Sequence, residues 1–517
     1  MKPNATGFIE KLKATLCARG FRQIYGIDFT ETHAPVTTIA AWRAAVAECA
    51  RRGLKIDIWD VSGAYLNSEL IEDIYVKPPE GMAVPEGCEG MVLKLKKALY
   101  GLKQAGRAWN QKLRNFLLEC GFEQSQADHS MFYKTRKVKG QTHVIRLNVH
   151  VDDSFATYSD DDWYAEFKQR LEDVENGGFN LSRPEDGDVY IGIKVDTLPD
   201  GAIKIQQTRY IDDMAAKFLN DSDKAAVVPH FSTIKLTKDM CPMTQEAIKI
   251  MKGVPYRSLI GALNHIANCT RPDIAAAVGI CAQFCENPGE THWKAAKMIL
   301  RYLKGTREYG IIYGRHRTEH IPYAPLCGFA DASWADGPER LSRSGIIIFS
   351  WGGPIAWRSM KQKAQALSTT EAEYVSACEA TKSVVWLRRL FREFGYTDLA
   401  IFDPTEPPTE AERQGHKPST IYEDNSGCIR WSVNPVQHQR AKHIDLQYHF
   451  VRAKVRDGDV KLVYRDTEHM VADLLTKCLA SERFQMLRDM MVGDGKIARG
   501  AAQRTYAVLL AEYGAVT

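Results

Sequence analysis

The run Val144-Ile-Arg-Leu-Asn-Val-His-Val-Asp-Asp, which ends at Asp153, constrains this chain more than any other stretch. Ile145, Leu147, Val149 and Val151 alternate with polar residues, the period-two pattern of a half-buried strand. Two adjacent aspartates close the run. Vicinal carboxylates repel, so an apolar strand ends on them where a turn or a cation accommodates them. A hard divalent cation with oxygen ligands meets that need. An ordinary Asp-Asp hairpin turn meets it too, and the stretch alone favours the turn. The rest of the chain reverses that balance.

A length of 517 residues predicts two to four domains. The residues are 44% hydrophobic and 26% charged, a soluble globular composition. Sixty-eight Lys and Arg against 64 Asp and Glu leave +4, so any nucleic-acid footprint must come from local patches. No apolar run is long enough to span a membrane, and no signal peptide is expected at the start. Twelve cysteines without a CxxC pair suggest reduced thiols in an intracellular protein, cytoplasmic or nuclear. Cys281 and Cys285, one helical turn apart near His292, read as core packing and not as a metal site.

Asp60 ends an apolar strand built on Ile56, Ile58 and Val61. Trp109, Leu113, Phe116, Leu117 and Cys120 follow helical periodicity up to Gly121. The aspartate strand comes next, with Phe155 to Tyr158 as its hairpin partner. Val189 to Val195 and Ala202 to Gln206 form another pair. Residues 220–254 lack strong periodicity and read as a link. Helices are expected over 256–268, 273–285 and 291–303. On the last, Lys297, Arg301 and Lys304 line one stripe, which is either a solvated face or a track for a phosphate backbone.

Residues 325–478 predict three strands, a long helix (about 370–394), a strand, helices, a strand and a final helix over 470–477: an α/β layer of its own. Residues beyond 480 read as a tail. In this layer Asp331 and Asp424 end strands, and Glu373 and Asp473 sit near helix starts. Glu371 fits a capping box with Ser368 and is assigned to the cap. His469 reads as a surface histidine, and His438, His443 and His449 lack zinc spacing.

Two carboxylate sets emerge, Asp60 with Asp152 and Asp153, and Asp331 with Glu373, Asp424 and Asp473. Taken singly, each acid is more simply an exposed charge. Taken together at the edges of elements, each set can hold a pair of Mg²⁺ ions about 4 Å apart, the arrangement that suits in-line phosphoryl transfer.

These segments resemble the polymerase region of copia-type LTR retrotransposons, a reverse transcriptase with attached ribonuclease H. The likeness is carried by Cys17-Ala-Arg-Gly-Phe-Arg-Gln, Asp60-Val-Ser-Gly-Ala-Tyr-Leu-Asn, Ala98-Leu-Tyr-Gly-Leu-Lys-Gln with Arg107-Ala-Trp, and His150-Val-Asp-Asp. Thr270-Arg-Pro-Asp-Ile and Ile299-Leu-Arg-Tyr-Leu-Lys-Gly-Thr match the thumb and connection. Ala330-Asp-Ala-Ser-Trp, Ser368-Thr-Thr-Glu-Ala-Glu-Tyr, Glu423-Asp-Asn, Lys442-His-Ile-Asp and Ala472-Asp-Leu-Leu-Thr-Lys match the ribonuclease H.

The resemblance implies an α+β fold. Right-hand fingers and palm with an antiparallel sheet take residues 1–220, and a helical thumb or connection takes 221–320. A ribonuclease H-like mixed α/β layer takes 321–480, and a tail takes 481–517. It implies Asp60, Asp152 and Asp153 as polymerase metal ligands, and Asp331, Glu373, Asp424 and Asp473 as ribonuclease ligands, with two Mg²⁺ per site or Mn²⁺ in their place. Tyr65 would be the steric gate under the sugar. Lys13, Tyr100, Gly101 and Lys103 would meet the incoming nucleotide, and Arg107, Lys297, Arg301 and Lys304 the nucleic acid. Partners would be an RNA template, a DNA primer, dNTPs and an RNA–DNA hybrid, within a virus-like particle in some settings.

Three departures stand out. Lys13-Ala14-Thr15 replaces the family's Lys-Ala-Arg, His150 replaces a tyrosine, and Ala105-Gly106 replaces Ser-Pro. The family's chains also carry capsid, protease and integrase segments upstream, so a processed piece, a truncated gene or a partial gene model is expected. The leading expectation is an RNA-directed DNA polymerase that also cuts RNA in hybrids. The alternatives are a truncated or domesticated remnant that binds nucleic acid without polymerising, and a ribonuclease H beside an idle polymerase.

Overall fold

The alternation before Asp152 produces a strand in the middle of a sheet, flanked on both sides. The computed structural model describes residues 2–3, 9–11, 15–82, 85–88, 90–183, 187–231, 234–335, 340–400, 408–434 and 445–496. The chain forms two units. One is Met1–Thr38 with Lys55–Ile191; the other is Ile39–Leu54, which carries helix α1 (Ile39–Arg52), with Gly192–Thr517.

The first unit holds β1 (Lys55–Val61), α2 (Ala105–Glu119), β2 (Glu123–Gln124), β3 (Met131–Val138), β4 (Gln141–His150), β5 (Asp153–Tyr158), α3 (Asp161–Glu172) and β6 (Leu181–Ser182). The strands make one antiparallel sheet in the order β6-β1-β5-β4-β3-β2. Ile145 and Leu147 point from β4 into a core with Trp59, Trp109, Leu113, Phe116 and Leu117, so the periodic face of α2 covers this sheet. Asp160 caps α3 by accepting the Trp163 amide at 3.0 Å, and Trp163, Tyr164 and Phe167 join the same core. Burying side chains of this size stabilises by roughly 1.5–3 kcal/mol each.

In the second unit β7 (Ile193–Thr197), β8 (Ile203–Gln206) and β9 (Ile311–Tyr313) form antiparallel pairs. Between them lie helices α4 (Thr208–Phe218), α5 (Gln245–Lys252), α6 (Tyr256–Cys269), α7 (Ala275–Ala282) and α8 (Glu290–Gly305). The stretch 220–254, expected to be a plain link, carries α5, capped by the Thr244 hydroxyl on the Ala247 amide at 3.2 Å. Its short length and exposed faces explain why no strong period marked it.

A mixed sheet follows, built from β10 (Cys327–Ser333), β11 (Arg343–Ser350), β12 (Gly353–Lys361), β13 (Ser419–Glu423) and β14 (Val460–Tyr464), in the order β12-β11-β10-β13-β14. The first three strands are antiparallel; β13 and β14 are parallel additions. Helix α9 (Thr369–Glu393) covers β10 and β11, and α10 (Glu410–Arg413), α11 (Ser426–Val433) and α12 (Asp445–Arg456) complete the layer. Ser368 accepts the Glu371 amide at 3.3 Å and Glu371 accepts the Leu367 amide at 2.5 Å, so Glu371 does cap α9.

Two expectations are corrected. Residues 470–477 are not a full helix but a 3₁₀ turn over Val471–Leu475. Residues 481–491 are not a tail: they form α13 (Ser481–Met491), whose Phe484, Leu487, Met490 and Met491 are buried. Residues 497–517 lie outside the described residues.

Helix α1 packs within the second unit although Lys55–Ile191 of the first unit separate it from Gly192 along the sequence. Its Arg43 is buried, with the guanidinium 3.8 Å from the Trp357 ring centroid on β12 and Nη1 donating to the Ile355 carbonyl at 3.0 Å.

Candidate functional site

In the first unit Asp60 sits directly opposite Asp153 across β1 and β5. Such cross-strand partners stand roughly 4.5–5.5 Å apart at Cα. Asp152 occupies the β4–β5 turn, and its carbonyl accepts the Val61 amide at 3.1 Å, which ties the turn to the end of β1. Ser182 on β6 flanks Asp60 from the other side, its hydroxyl 3.4 Å from Oδ2. The three acids therefore lie near one another where the interior strands β1 and β5 meet the β4–β5 turn, though their carboxylate oxygens do not all come within 4.8 Å of one another. Burial pushes Asp153 up to about 6, and the charges of Asp152 and then Asp60 add to the rise.

The hairpin closes at the His150–Asp153 pair, leaving a two-residue turn of Val151 and Asp152. Val151 takes φ +61°, a left-handed conformation that a β-branched residue rarely adopts. The Trp109 indole holds it there, donating to the Val151 carbonyl at 2.6 Å. His150, the departure from tyrosine, is pushed down by burial against the opposing pull of Asp152, so its imidazole is biased towards neutrality.

Tyr65 lies in a 3₁₀ turn over Ala64–Asn67, its ring centroid 4.9 Å from that of Tyr100. Both hydroxyls are raised, first by burial and next by the charge of Asp152. The Ala18 amide donates to the Tyr100 carbonyl at 2.7 Å. A Cβ on Gly101 would stand 2.1 Å from the Ala18 carbonyl oxygen, and φ there is +91°, so glycine is required. Lys103 takes its amide to Gln23 at 2.8 Å and its ammonium to the Phe29 ring at 4.6 Å. Arg107 is ion-paired with Glu31. Tyr65, Tyr100 and Gly101 thus gather beside the carboxylates, Lys103 and Arg107 belong to the packing around residues 18–31, and Lys13 lies outside the described residues.

In the second unit Asp331, Glu373 and Asp424 offer ligand atoms that all lie within 4.8 Å of one another, the one such trio among the described residues. Strand β10 supplies Asp331, α9 supplies Glu373, and Asp424 follows β13. Glu373 is raised well above the ordinary range by burial and then by Glu423, Asp331 and Asp424; its buried Oε2 has no hydrogen-bond partner. Asp331 is also raised by burial and by Asp473, while it accepts the Thr476 hydroxyl. Asp473 meets the trio at Asp331, which it raises by charge and by a side-chain hydrogen bond, and is itself paired with two cations, Lys477 at 2.7 Å and Arg483. Lys477 also reaches Asp331 Oδ1 at 3.4 Å, so it links the fourth acid to the other three.

Sequence reasoning missed Glu423 as part of this site. It is fully buried, raised well above the usual range by burial and then by Asp424 and Asp331, and its Oε2 has no partner. The signal was its place two residues after the core residue Ile421, on the same face of β13.

The basic stripe on α8 is largely occupied. Lys297 lies 3.9 Å from Asp223 and Arg301 donates to the Lys224 carbonyl at 2.6 Å, anchoring that loop, whereas Lys304 is exposed. His292 is buried and caps α8, accepting the Gly289 amide at 2.9 Å, so the Cys281–Cys285–His292 group is packing, as expected. His469 pairs with Asp466 at 2.6 Å and stacks on His320 at 3.7 Å. His438, His443 and the segment Lys442-His-Ile-Asp lie outside the described residues or at their edge.

Residues 2–231 match the family model described as reverse transcriptase (RNA-dependent DNA polymerase). The chain is 35% identical to the retrovirus-related Pol polyprotein from transposon TNT 1-94 of Nicotiana tabacum over 93% of this chain and 34% of that protein. It is 34% identical to the Pol polyprotein from transposon RE2 of Arabidopsis thaliana over 94% of this chain and 31% of that one. It therefore spans about a third of the length of these curated relatives. The prototype foamy virus protease–reverse transcriptase aligns with 84% of this chain and 46% of that chain, at 13% identity and a TM-score of 0.18. Residues 2–231 thus carry a reverse transcriptase domain. The chain as a whole is a homologue of the Pol polyproteins of copia-type transposons, of which it covers about a third.

Proposed function

We propose that the first unit polymerises DNA on an RNA template and that the second hydrolyses the RNA strand of RNA–DNA hybrids. The register that sets Asp60 against Asp153, with Asp152 in the adjoining turn, carries the polymerase half. The Asp331–Glu373–Asp424 trio carries the nuclease half.

Both acid sets fit Mg²⁺: every donor is a hard oxygen, and the buried, unpartnered Oε2 of Glu373 is an acceptor that a cation would satisfy. Asp60, Asp152 and Asp153 would hold ions in one site; Asp331, Glu373, Asp424 and, after release from Lys477, Asp473 in the other. When bound, the ions would supply charge neutralisation at the phosphate and activation of the attacking hydroxyl or water. The protein's own groups position the reactants. Tyr65 closes the floor beside Asp152, where a ring that size leaves no room for a 2′-hydroxyl. Tyr100 and Gly101 present ring and backbone to the nucleotide. Gripping through phosphates makes binding sequence-tolerant and salt-dependent.

Primer extension on an RNA template and cleavage of a labelled hybrid, both in Mg²⁺, test the two halves. Asp152→Asn should end extension and spare cleavage; Asp424→Asn should do the reverse. Cleavage without extension in the parent chain removes the polymerase half. Retention of duplex with neither activity leaves a nucleic-acid-binding remnant.

A further inference from the structure

We propose that Arg483 on α13 is a positioning residue of the nuclease carboxylates: its one guanidinium fixes both Asp473 and the loop that steers Asp424. The inference rests on the nuclease reading and extends it to the C-terminal helix, which supplies none of the four acids.

Arg483 Nη2 donates to Asp473 Oδ2 and to the Thr467 carbonyl, the latter at 2.5 Å. The Thr467 hydroxyl in turn donates to Asp424 Oδ2 at 2.8 Å. Asp424 and Asp473 come from separate elements, and this run of contacts joins them through one side chain. The two oxygens of Asp473 have different partners: Lys477 meets Oδ1 at 2.7 Å, and Arg483 meets Oδ2. Lys477 also reaches Asp331 at 3.4 Å, so it stands where the acids face one another. An ion that displaces Lys477 therefore meets a carboxylate whose other oxygen is already fixed. The packing of α13 keeps the guanidinium in place. Beside Arg483, Phe484 is buried, its ring centroid 5.5 Å from that of Tyr302. At the far end Arg317 Nη2 donates to the Asp489 and Val492 carbonyls at 2.7 and 2.8 Å, satisfying acceptors that the last turn leaves open. Side chains that orient metal-holding carboxylates from behind change ion affinity by roughly 10–100-fold when removed. Direction separates this role from a charge effect. Removing a cation relieves repulsion and by itself tightens the binding of a metal ion, whereas removing orientation weakens it.

Isothermal titration of Mn²⁺ into the full chain reads ion binding without turnover, and the heat lost in Asp424→Asn marks the nuclease component. Arg483→Gln should weaken that component roughly tenfold or more and leave the remaining heat unchanged. Arg483→Lys keeps the charge, but its ammonium ends one atom short of where Nη2 stands, so it should weaken the same component too. Hybrid cleavage run alongside should need more Mn²⁺ for half-saturation by the same factor, with KM for the hybrid unchanged. Tighter ion binding in Arg483→Gln, full recovery in Arg483→Lys, unchanged affinity in both, or equal weakening of both components overturns the assignment. A parent chain with no heat sensitive to Asp424→Asn removes the nuclease reading itself, and the role of Arg483 with it.

Discussion

The ammonium of Lys477 stands 2.7 Å from Asp473 Oδ1, four residues earlier, and extends to Asp331 at 3.4 Å. A lysine so placed neutralises the acids whenever no divalent ion does. Lys477→Met leaves two buried carboxylates without it. The metal-free second unit should lose about 3 kcal/mol, the low end for a broken buried pair because the ammonium is partly exposed. The melting-temperature gain on adding Mg²⁺ should exceed that of the parent, since more repulsion is relieved. An equal or smaller gain in the EDTA-against-Mg²⁺ melts would show that Lys477 does not stand in for an ion.

Asp153, Asp331, Glu373 and Glu423 are all held above the ordinary carboxylate range, burial being the first cause in each. Each keeps its proton in the folded chain at a pH where the unfolded chain has lost it. The folded state therefore binds more protons, and stability falls as pH rises. For Asp153 the fall spans 3.8 to about 6. Without divalent ions, melting at pH 5 should occur at a higher temperature than at pH 8, and Glu423→Gln should flatten the slope. A melting temperature that climbs over this interval would contradict the assignment.

Trp109→Phe removes the donor that meets the Val151 carbonyl at 2.6 Å. An acceptor left unpaired in the interior costs about 1–3 kcal/mol. The larger effect should be on extension, because the turn carrying Asp152 loses the contact that holds its left-handed valine. Primer extension falling by a greater factor than hybrid cleavage is the expected pattern; equal losses would point to general destabilisation.

Arg43→Met should destabilise the second unit, not the first. The substitution strips the Trp357 face and leaves the Ile355 and Asn268 carbonyls unpaired. Buried networks broken in this way cost about 3–5 kcal/mol. Hydrogen exchange resolved by segment gives the answer: faster exchange should appear in β12 and α6 and not in β4 or β5.

The strands around Asp152 were legible from sequence alternation at Leu147 and the break at Asp152, although β4 is not half-buried as expected: Arg146 and Asn148 on its polar face are buried too. The second carboxylate set was only partly legible from strand ends: Asp424 directly follows β13, but Asp331, expected to end its strand, lies inside β10, which pairs on to Ser333. Glu423 escaped because β13 is buried on both faces, which erases alternation. The pairing of Asp473 with Lys477 was readable at i,i+4 spacing but was read as motif only. The alanine-rich surface of helix α1 carries no mark of where it packs. The final helix was taken for a tail because charged residues interrupt Phe484, Leu487, Met490 and Met491 and blur the apolar face.

The second unit borrows Ile39–Leu54 from within the sequence span of the first. During synthesis that helix leaves the ribosome long before β9 and β12, the strands it covers, exist. The first unit can close as soon as Ile191 emerges, but its neighbour must await nearly the whole chain. A proteolytic cut at the junction after Ile191 would therefore sever the backbone without yielding two self-sufficient pieces, and a fragment begun at Gly192 would be born with a trough where Trp42 and Arg43 belong.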